Sequence, residues 1–165
     1  MRRLMPFLAL TIAAAAAFAV AAALAAGGSP STGRTIRLLE RGGTSTEIDN
    51  PPKGNRVTHL ISAGDFSAGT VKLEDESGKP AGTLHLVCVA TVAGTDLSSR
   101  FQCTGTVSLA GGTLALSALS GLSSKEGAKQ IAVVGGTGAY EGARGSMTSG
   151  ARSTGEIMDV IHLRP

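Results

Sequence analysis

The chain has 165 residues, a formal charge of +3, 42% apolar residues, 3% aromatic residues and no tryptophan. Arg2 and Arg3 fall in an amino-terminal leader that holds no acidic residue, so the rest of the chain carries +1, and no basic surface for nucleic acid is indicated. Beyond the leader the aromatics are Phe66, Phe101 and Tyr140, too few for stacking platforms; His59, His85 and His162 are far apart, and neither zinc-ligand nor P-loop nor nucleophile-elbow spacing occurs, so no metal or cofactor is expected.

In chain order the leader comes first. Met1-Arg2-Arg3 is a short positive segment, Leu4 to Leu24 is apolar apart from Pro6 and Thr11, and Ala23-Leu24-Ala25 places small residues where a signal peptidase reads, so cleavage is expected after Ala25 or Ala26. Residues 1–26 are then a signal peptide, 27–33 a flexible linker and 34–165 one domain. An uncleaved membrane anchor is the rival reading, since about 20 apolar residues span a bilayer. Either reading puts the domain outside the cytoplasm, secreted and free of membrane once the leader is removed.

From Thr35 onward, short apolar runs alternate with polar residues between glycines, and no stretch carries a helical stripe. All 23 glycines lie beyond the leader, without a fixed period. The pattern is all-β. Strands are predicted at Thr35–Glu40, Arg56–Ser62, Phe66–Asp75, Gly82–Val92, Ser99–Leu109, Thr113–Leu119, Lys129–Val134, Ala143–Ser149 and Glu156–Leu163. Turns are predicted at Glu76 to Pro80, Ala93 to Asp96 and Ala110 to Gly112, where residues tolerate positive φ or preset a bend. Such short spacers make an antiparallel meander, and closing it into a barrel removes its free edges.

One hairpin can be registered by arithmetic. If Cys88 faces Cys103, the turn centres between Thr95 and Asp96, and Leu84 pairs with Val107, Leu86 with Gly105 and Ala90 with Phe101. That face is apolar; the other carries His85, Arg100, Gln102, Thr104 and Thr106, with Val87 and Val89 among them. Directly opposed antiparallel residues lie within disulfide reach. Outside the cytoplasm, Cys88–Cys103 is expected as a disulfide, two buried free thiols being the alternative.

Four segments resemble the allene oxide cyclase and dirigent barrel family: Gly64-Asp65 opening a strand, Leu73-Glu74-Asp75 before a turn, Gly82 to Cys88 leading into Arg100-Phe101, and the glycine-rich run from Ile131 to Gly145. The likeness spans roughly Ile36 to Leu163 and, with the leader and paired cysteines, is to secreted bacterial members. It implies an eight-stranded antiparallel β-barrel preceded by a signal peptide, with a central apolar cavity and assembly as a homotrimer. Gly135, Gly136, Gly138, Gly142 and Gly145 lack dinucleotide-loop spacing and have no helix after them, so their expected role is turn, bulge and close backbone approach. Tyr140 is expected to pack as a cap, and Arg144 to be a surface or inter-strand ion-pair partner.

The family's catalytic residues carry over poorly. Matching Glu40-Arg41 to the cyclases' first-strand Glu-Arg puts Arg37 and Leu39 where their acid and asparagine belong, and Val71 at a second asparagine. No tyrosine lies between Leu119 and Gln130; Cys88 alone matches. A dirigent acid–tyrosine–arginine set is not recognisable either. Three functions follow: a barrel binding a small hydrophobic molecule between Leu84, Leu86, Cys88, Ala90, Phe101, Cys103 and Val107; a dirigent- or cyclase-like isomerase, for which Asp65, Asp159 and His162 are the available acids and bases; or a secreted structural or interaction domain without ligand.

Overall fold

A computed structural model describes residues 33–49, 61–95, 98–121 and 127–165. The leader, the linker to residue 32 and most of the strand expected at 56–62 lie outside them. Of that expected strand, Ile61 forms an isolated bridge to Gly94 and Ser62 belongs to no strand.

Eight strands run in order: β1 (Arg34–Ile48), β2 (Phe66–Glu74), β3 (Pro80–Val92), β4 (Arg100–Leu109), β5 (Gly112–Ser120), β6 (Lys129–Gly138), β7 (Gly145–Ala151) and β8 (Ile157–Leu163). Each pairs antiparallel with the next, and β1 with β8, closing the barrel. Closure depends on β1, which continues well past the expected end at Glu40. Its first part pairs with β8 and its second with β2, the two meeting at Leu39. A bulge between Arg41 and Gly43 bends the strand from one partner to the other.

The β3–β4 register is the one expected, with Leu84 opposite Val107, Leu86 opposite Gly105, Cys88 opposite Cys103 and Ala90 opposite Phe101. The Cys88–Cys103 disulfide is formed, with S–S 2.03 Å and Cα–Cα 4.1 Å. Toward the turn a shift between Ala90 and Val92 adds one residue to β3, which the arithmetic did not anticipate.

Strand alternation sends Leu38, Leu73, Leu84, Val107, Leu114, Leu116, Val133, Met147 and Ile161 inward, where with Tyr140 they form the buried core. That core fills one end of the barrel. Tyr140 packs as a cap, 5% exposed, with the Arg34 guanidinium 5.3 Å above its ring. Arg144 is exposed, and its guanidinium donates to the Ala143 carbonyl instead of reaching an acid.

The glycine motif is part strand and part turn. β6 continues through Gly138 and β7 starts at Gly145, two residues later than expected. At Gly138 φ is +61°, and an added Cβ would lie 2.2 Å from the Gly111 carbonyl oxygen. Gly136 has no positive φ; its constraint is crowding, with the Tyr140 carbonyl oxygen 2.2 Å from where a Cβ would stand.

Candidate functional site

The end of the barrel opposite the packed core is hollow. A cavity of about 590 Å3 opens there, with Leu84, Leu116 and Met147 shared between its floor and the core. Its apolar wall comes from β3, β4 and β5: Leu86, Phe101, Ala118 and the Cys88–Cys103 disulfide. Of the residues expected to surround a ligand, Leu84, Leu86, Cys88, Phe101 and Cys103 line this cavity. Val107 does not, because it is fully buried in the packed half. Ala90 is 2% exposed and off the cavity, its backbone bonded to Gly64 and Asp65.

The opposite wall is polar, which the sequence reading did not foresee. Lys129 on β6 pairs with Ser149 on β7, Ser149 with Asp159 on β8, and Asp159 with Leu38 on β1. Glu40 lies two residues beyond Leu38, on the same inward face. An amine, a hydroxyl and two carboxyls therefore follow one another around a quarter to half of the barrel.

Asp159 is fully buried, and neither carboxyl oxygen has a hydrogen-bond partner. Burial pushes its pKa up; the nearby Ser149 hydroxyl pulls weakly the other way without reaching bonding geometry. Glu40 lines the cavity, and its pKa is raised to about 7, first by burial and second by the neighbouring Asp159 charge. Both acids are thus held toward their protonated forms, in which they can donate. Lys129 Nζ, also on the cavity surface, donates to Ser120 Oγ at 2.8 Å and to the Gly121 carbonyl at 2.6 Å.

Next to Glu40, Arg41 points the other way and joins Glu74 (2.9 Å) and Glu156. This pair of ion contacts ties β1 to β2 and to the segment before β8, and so holds the strand that carries Glu40. It also keeps the Arg41 charge engaged elsewhere, leaving Glu40 without a cationic partner to lower its pKa.

The three acid–base candidates separate in space. Asp159 is buried behind the polar wall, between Ser149 on β7 and Leu38 on β1, and does not itself line the cavity. Asp65 accepts from the Ser62 amide (2.8 Å) in the turn before β2, a local structural bond away from the cavity. His162 faces outward, exposed, beside Thr35 Oγ1 at 3.1 Å. His85 and Gln102 are exposed on the outside as well. His85 borders an outer groove of about 450 Å3 among threonines such as Thr44, Thr70 and Thr106, which brings no carboxyl to the groove. Among the described residues no set of three His, Cys, Asp or Glu side chains converges as for a metal ion.

Glu40, Lys129 and Ser149 were missed as site residues. A signal for them existed. Glu40 is in phase with Ile36 and Leu38, Lys129 with Ile131 and Val133, and Asp159 with Ile157 and Ile161. A charge on the apolar parity of a barrel strand must point inward.

The backbone is similar to three solved structures: a pyocyanin demethylase (21% identity, TM-score 0.62, covering 79% of this chain and 98% of that one), a pterocarpan synthase dirigent protein (17%, 0.54, 80% and 82%) and an exo-specific intermolecular Diels-Alderase (12%, 0.58, 81% and 99%). The chain has the dirigent and cyclase barrel fold. At these identities the likeness establishes architecture, and the dirigent-type barrel is a frame on which activity depends on the lining residues. No family model and no curated protein matches the sequence.

Proposed function

We propose that this barrel binds a small hydrophobic molecule in its hollow end and acts on it as a cyclase- or dirigent-like isomerase, with Glu40 giving and retaking a proton. The observation that carries the reading is the raised-pKa carboxyl of Glu40 facing an otherwise largely apolar cavity, with the buried Asp159 carboxyl behind it, also raised. An acid with a pKa near neutrality is suited to proton transfer in both directions. Asp159 acts through Glu40: its own charge, when present, holds the Glu40 proton on. The apolar wall confines a flexible substrate to few conformers, which lowers the entropy that ring closure or coupling must overcome.

Infrared spectroscopy tests the acid. A protonated-carboxyl band should titrate near pH 7, vanish in Glu40→Gln and shift when an apolar dye fills the cavity. A Glu40 band titrating in the ordinary carboxylate range would remove the chemistry and leave a binding barrel; wild-type protein that takes up no apolar dye would remove both.

The proposal places the working protein outside the cytoplasm, supported by the disulfide, which persists in oxidising compartments. It also includes self-association as a trimer. Ile48, Val89 and Leu119, exposed at 53, 39 and 65%, lie with Phe66 in one cross-strand row on the outer surface of β1 to β5, interrupted on β4 by Gln102. An uncovered, mainly apolar row of this kind suits a subunit contact. Native mass spectrometry of protein from culture supernatant reads both: a chain starting at Met1, or a monomer, counts against the corresponding part.

A further inference from the structure

One inward row of the barrel wall places a reactive bond against the ligand space. Ser67 on β2 pairs with Cys88 on β3, Cys88 with Cys103 on β4, and Cys103 with Ala118 on β5, and all four residues line the cavity. The Cys88–Cys103 disulfide therefore faces the hollow end instead of the packed core, and both cysteines are half-buried. A disulfide sealed in a core is inert, whereas one that borders a cavity can be reached by whatever the cavity admits.

Thiol–disulfide exchange requires a thiolate to arrive in line with the S–S bond, behind the sulfur it attacks, while the other sulfur leaves as a thiolate. The two approaches differ here. Behind Cys103 lies the small side chain of Ala118, with Phe101 and Leu116 on the cavity wall beside it. Behind Cys88 lies Ser67, directly opposed across the ladder, at a Cβ separation of about 4.5–5.5 Å for such pairs. Its hydroxyl can donate to a thiolate on Cys88 and so makes Cys88 the better leaving group. An apolar approach to one sulfur and a donor beside the other both direct attack to Cys103. The chain has only these two cysteines. The freed Cys88 thiolate, held opposite Cys103 by the ladder, expels any thiol that the wall does not retain, so a mixed disulfide accumulates only with a thiol whose remainder is held by apolar contacts.

We propose that the Cys88–Cys103 bond is a reversible capture site for hydrophobic thiols. The incoming thiolate forms an S–S bond to Cys103, the Cys88–Cys103 bond breaks, and Cys88 leaves as a thiolate beside Ser67 and takes a proton from water. Return of Cys88 to Cys103 reverses the step and releases the thiol, so no external oxidant or reductant is consumed. This rests on the reading of the cavity as a ligand site and is independent of proton transfer at Glu40.

The test uses the folded, oxidised full chain without air at about pH 8, where alkyl thiols supply some thiolate. It is incubated with 1-naphthylmethanethiol or with 2-mercaptoethanol at equal concentration, quenched with N-ethylmaleimide, and read by intact mass and peptide mapping. The naphthyl thiol should give at least about tenfold more single adduct, the gain expected from burying part of an aromatic ring. The adduct should sit on Cys103 with the maleimide on Cys88, and saturating Nile red should suppress it. Ser67→Ala should slow capture severalfold and spread the adduct over both cysteines. Equal adduct from the two thiols, an adduct that does not favour Cys103, or capture that Nile red leaves unchanged would each overturn the assignment. Wild-type regiochemistry in a folded Ser67→Ala protein would overturn the role of the hydroxyl. If no adduct forms while Nile red binds, the exchange fails and the cavity reading stands. If neither thiol nor dye enters, the cavity reading fails and this assignment with it. The wild-type adduct decides the matter even where Ser67→Ala does not fold.

Discussion

Two carboxyls set the pH behaviour of the protein. Glu40 ionises near 4.5 in the unfolded chain and at about 7 in the barrel. Below the lower value both states are protonated and Glu40 contributes no pH dependence. Between the two values the unfolded chain releases a proton that the native state retains, so stability falls as pH rises and levels off above the higher value. Asp159, raised from 3.8 by burial, acts in the same direction. Wild-type protein should therefore melt at a higher temperature at pH 5 than at pH 8. Glu40→Gln should flatten that slope and be the more stable protein at pH 8, by on the order of 2 kcal/mol after discounting for solvent reaching the cavity. Asp159→Asn should flatten it further and also bring the Glu40 titration down, since it removes the second cause of the shift. Calorimetry across pH checks the slopes; a wild-type melting temperature that rises from pH 5 to pH 8 would show that these carboxyls are not held neutral. Keeping two acids inside at a cost in stability is the trade expected of a site under functional demand.

Among the elements, the β3–β4 hairpin and the β6–β7 corner carry the clearest consequences. The Cys88–Cys103 bond has a sequence separation of 15. In the chain-entropy account, closing such a loop contributes about 3 kcal/mol, so Cys88→Ala combined with Cys103→Ala should lower stability by that order in denaturant titration. The cavity wall would lose its sulfurs at the same time, so dye affinity is expected to change as well. At the corner, Gly138→Val requires a β-branched residue at φ +61° and a Cβ 2.2 Å from the Gly111 carbonyl oxygen. A loss of 2 kcal/mol or more, roughly, is expected, with poor expression. Gly136→Val should cost as much for a different reason, the Tyr140 and Thr113 carbonyls crowding the site. Gly135, whose nearest neighbour to an added Cβ is 3.8 Å away, is the internal control: Gly135→Ala should melt close to wild type. Equal losses at all three positions would mean that the corner is not specified by these approaches.

For the molecule as a whole, the division into a packed end and a hollow end decides which substitutions touch a ligand. Leu86→Trp should fill the cavity and weaken apolar dye binding about tenfold or more, with a small effect on stability because the neighbouring space is open. His85→Ala, one residue away, should leave dye binding unchanged, because His85 is exposed on the outer surface beside Thr70 and Thr83. Dye fluorescence titration distinguishes them; a damaging His85→Ala with a silent Leu86→Trp would move the binding site to the outer groove.

Local pattern carried much of this architecture. Period-two alternation and glycine punctuation marked all eight strands, β1 only as far as Glu40, and the hairpin turns, because burial on one face and chain reversal are both written within a few residues. The inward parity of β3 and β4 followed from the placement of two cysteines. The length of β1 was not legible: beyond Glu40 its residues are polar and exposed, and it is a strand there because β2 supplies the partner. The same holds for the site. Glu40, Lys129 and Asp159 are far apart in the chain, and each by itself has the composition of a solvated strand residue. What brings an amine and two carboxyls onto one wall is the closure of β1 on β8 and the pairing of β6, β7 and β8 in register, long-range hydrogen bonding that no local window contains. The sequence by itself determined an all-β chain, its hairpin register and its disulfide. The tertiary structure alone decided that half of the barrel is filled, that half is hollow, and that the hollow half faces one acid with a raised pKa and has a second buried behind it, because desolvation depends on how many other strands surround a side chain.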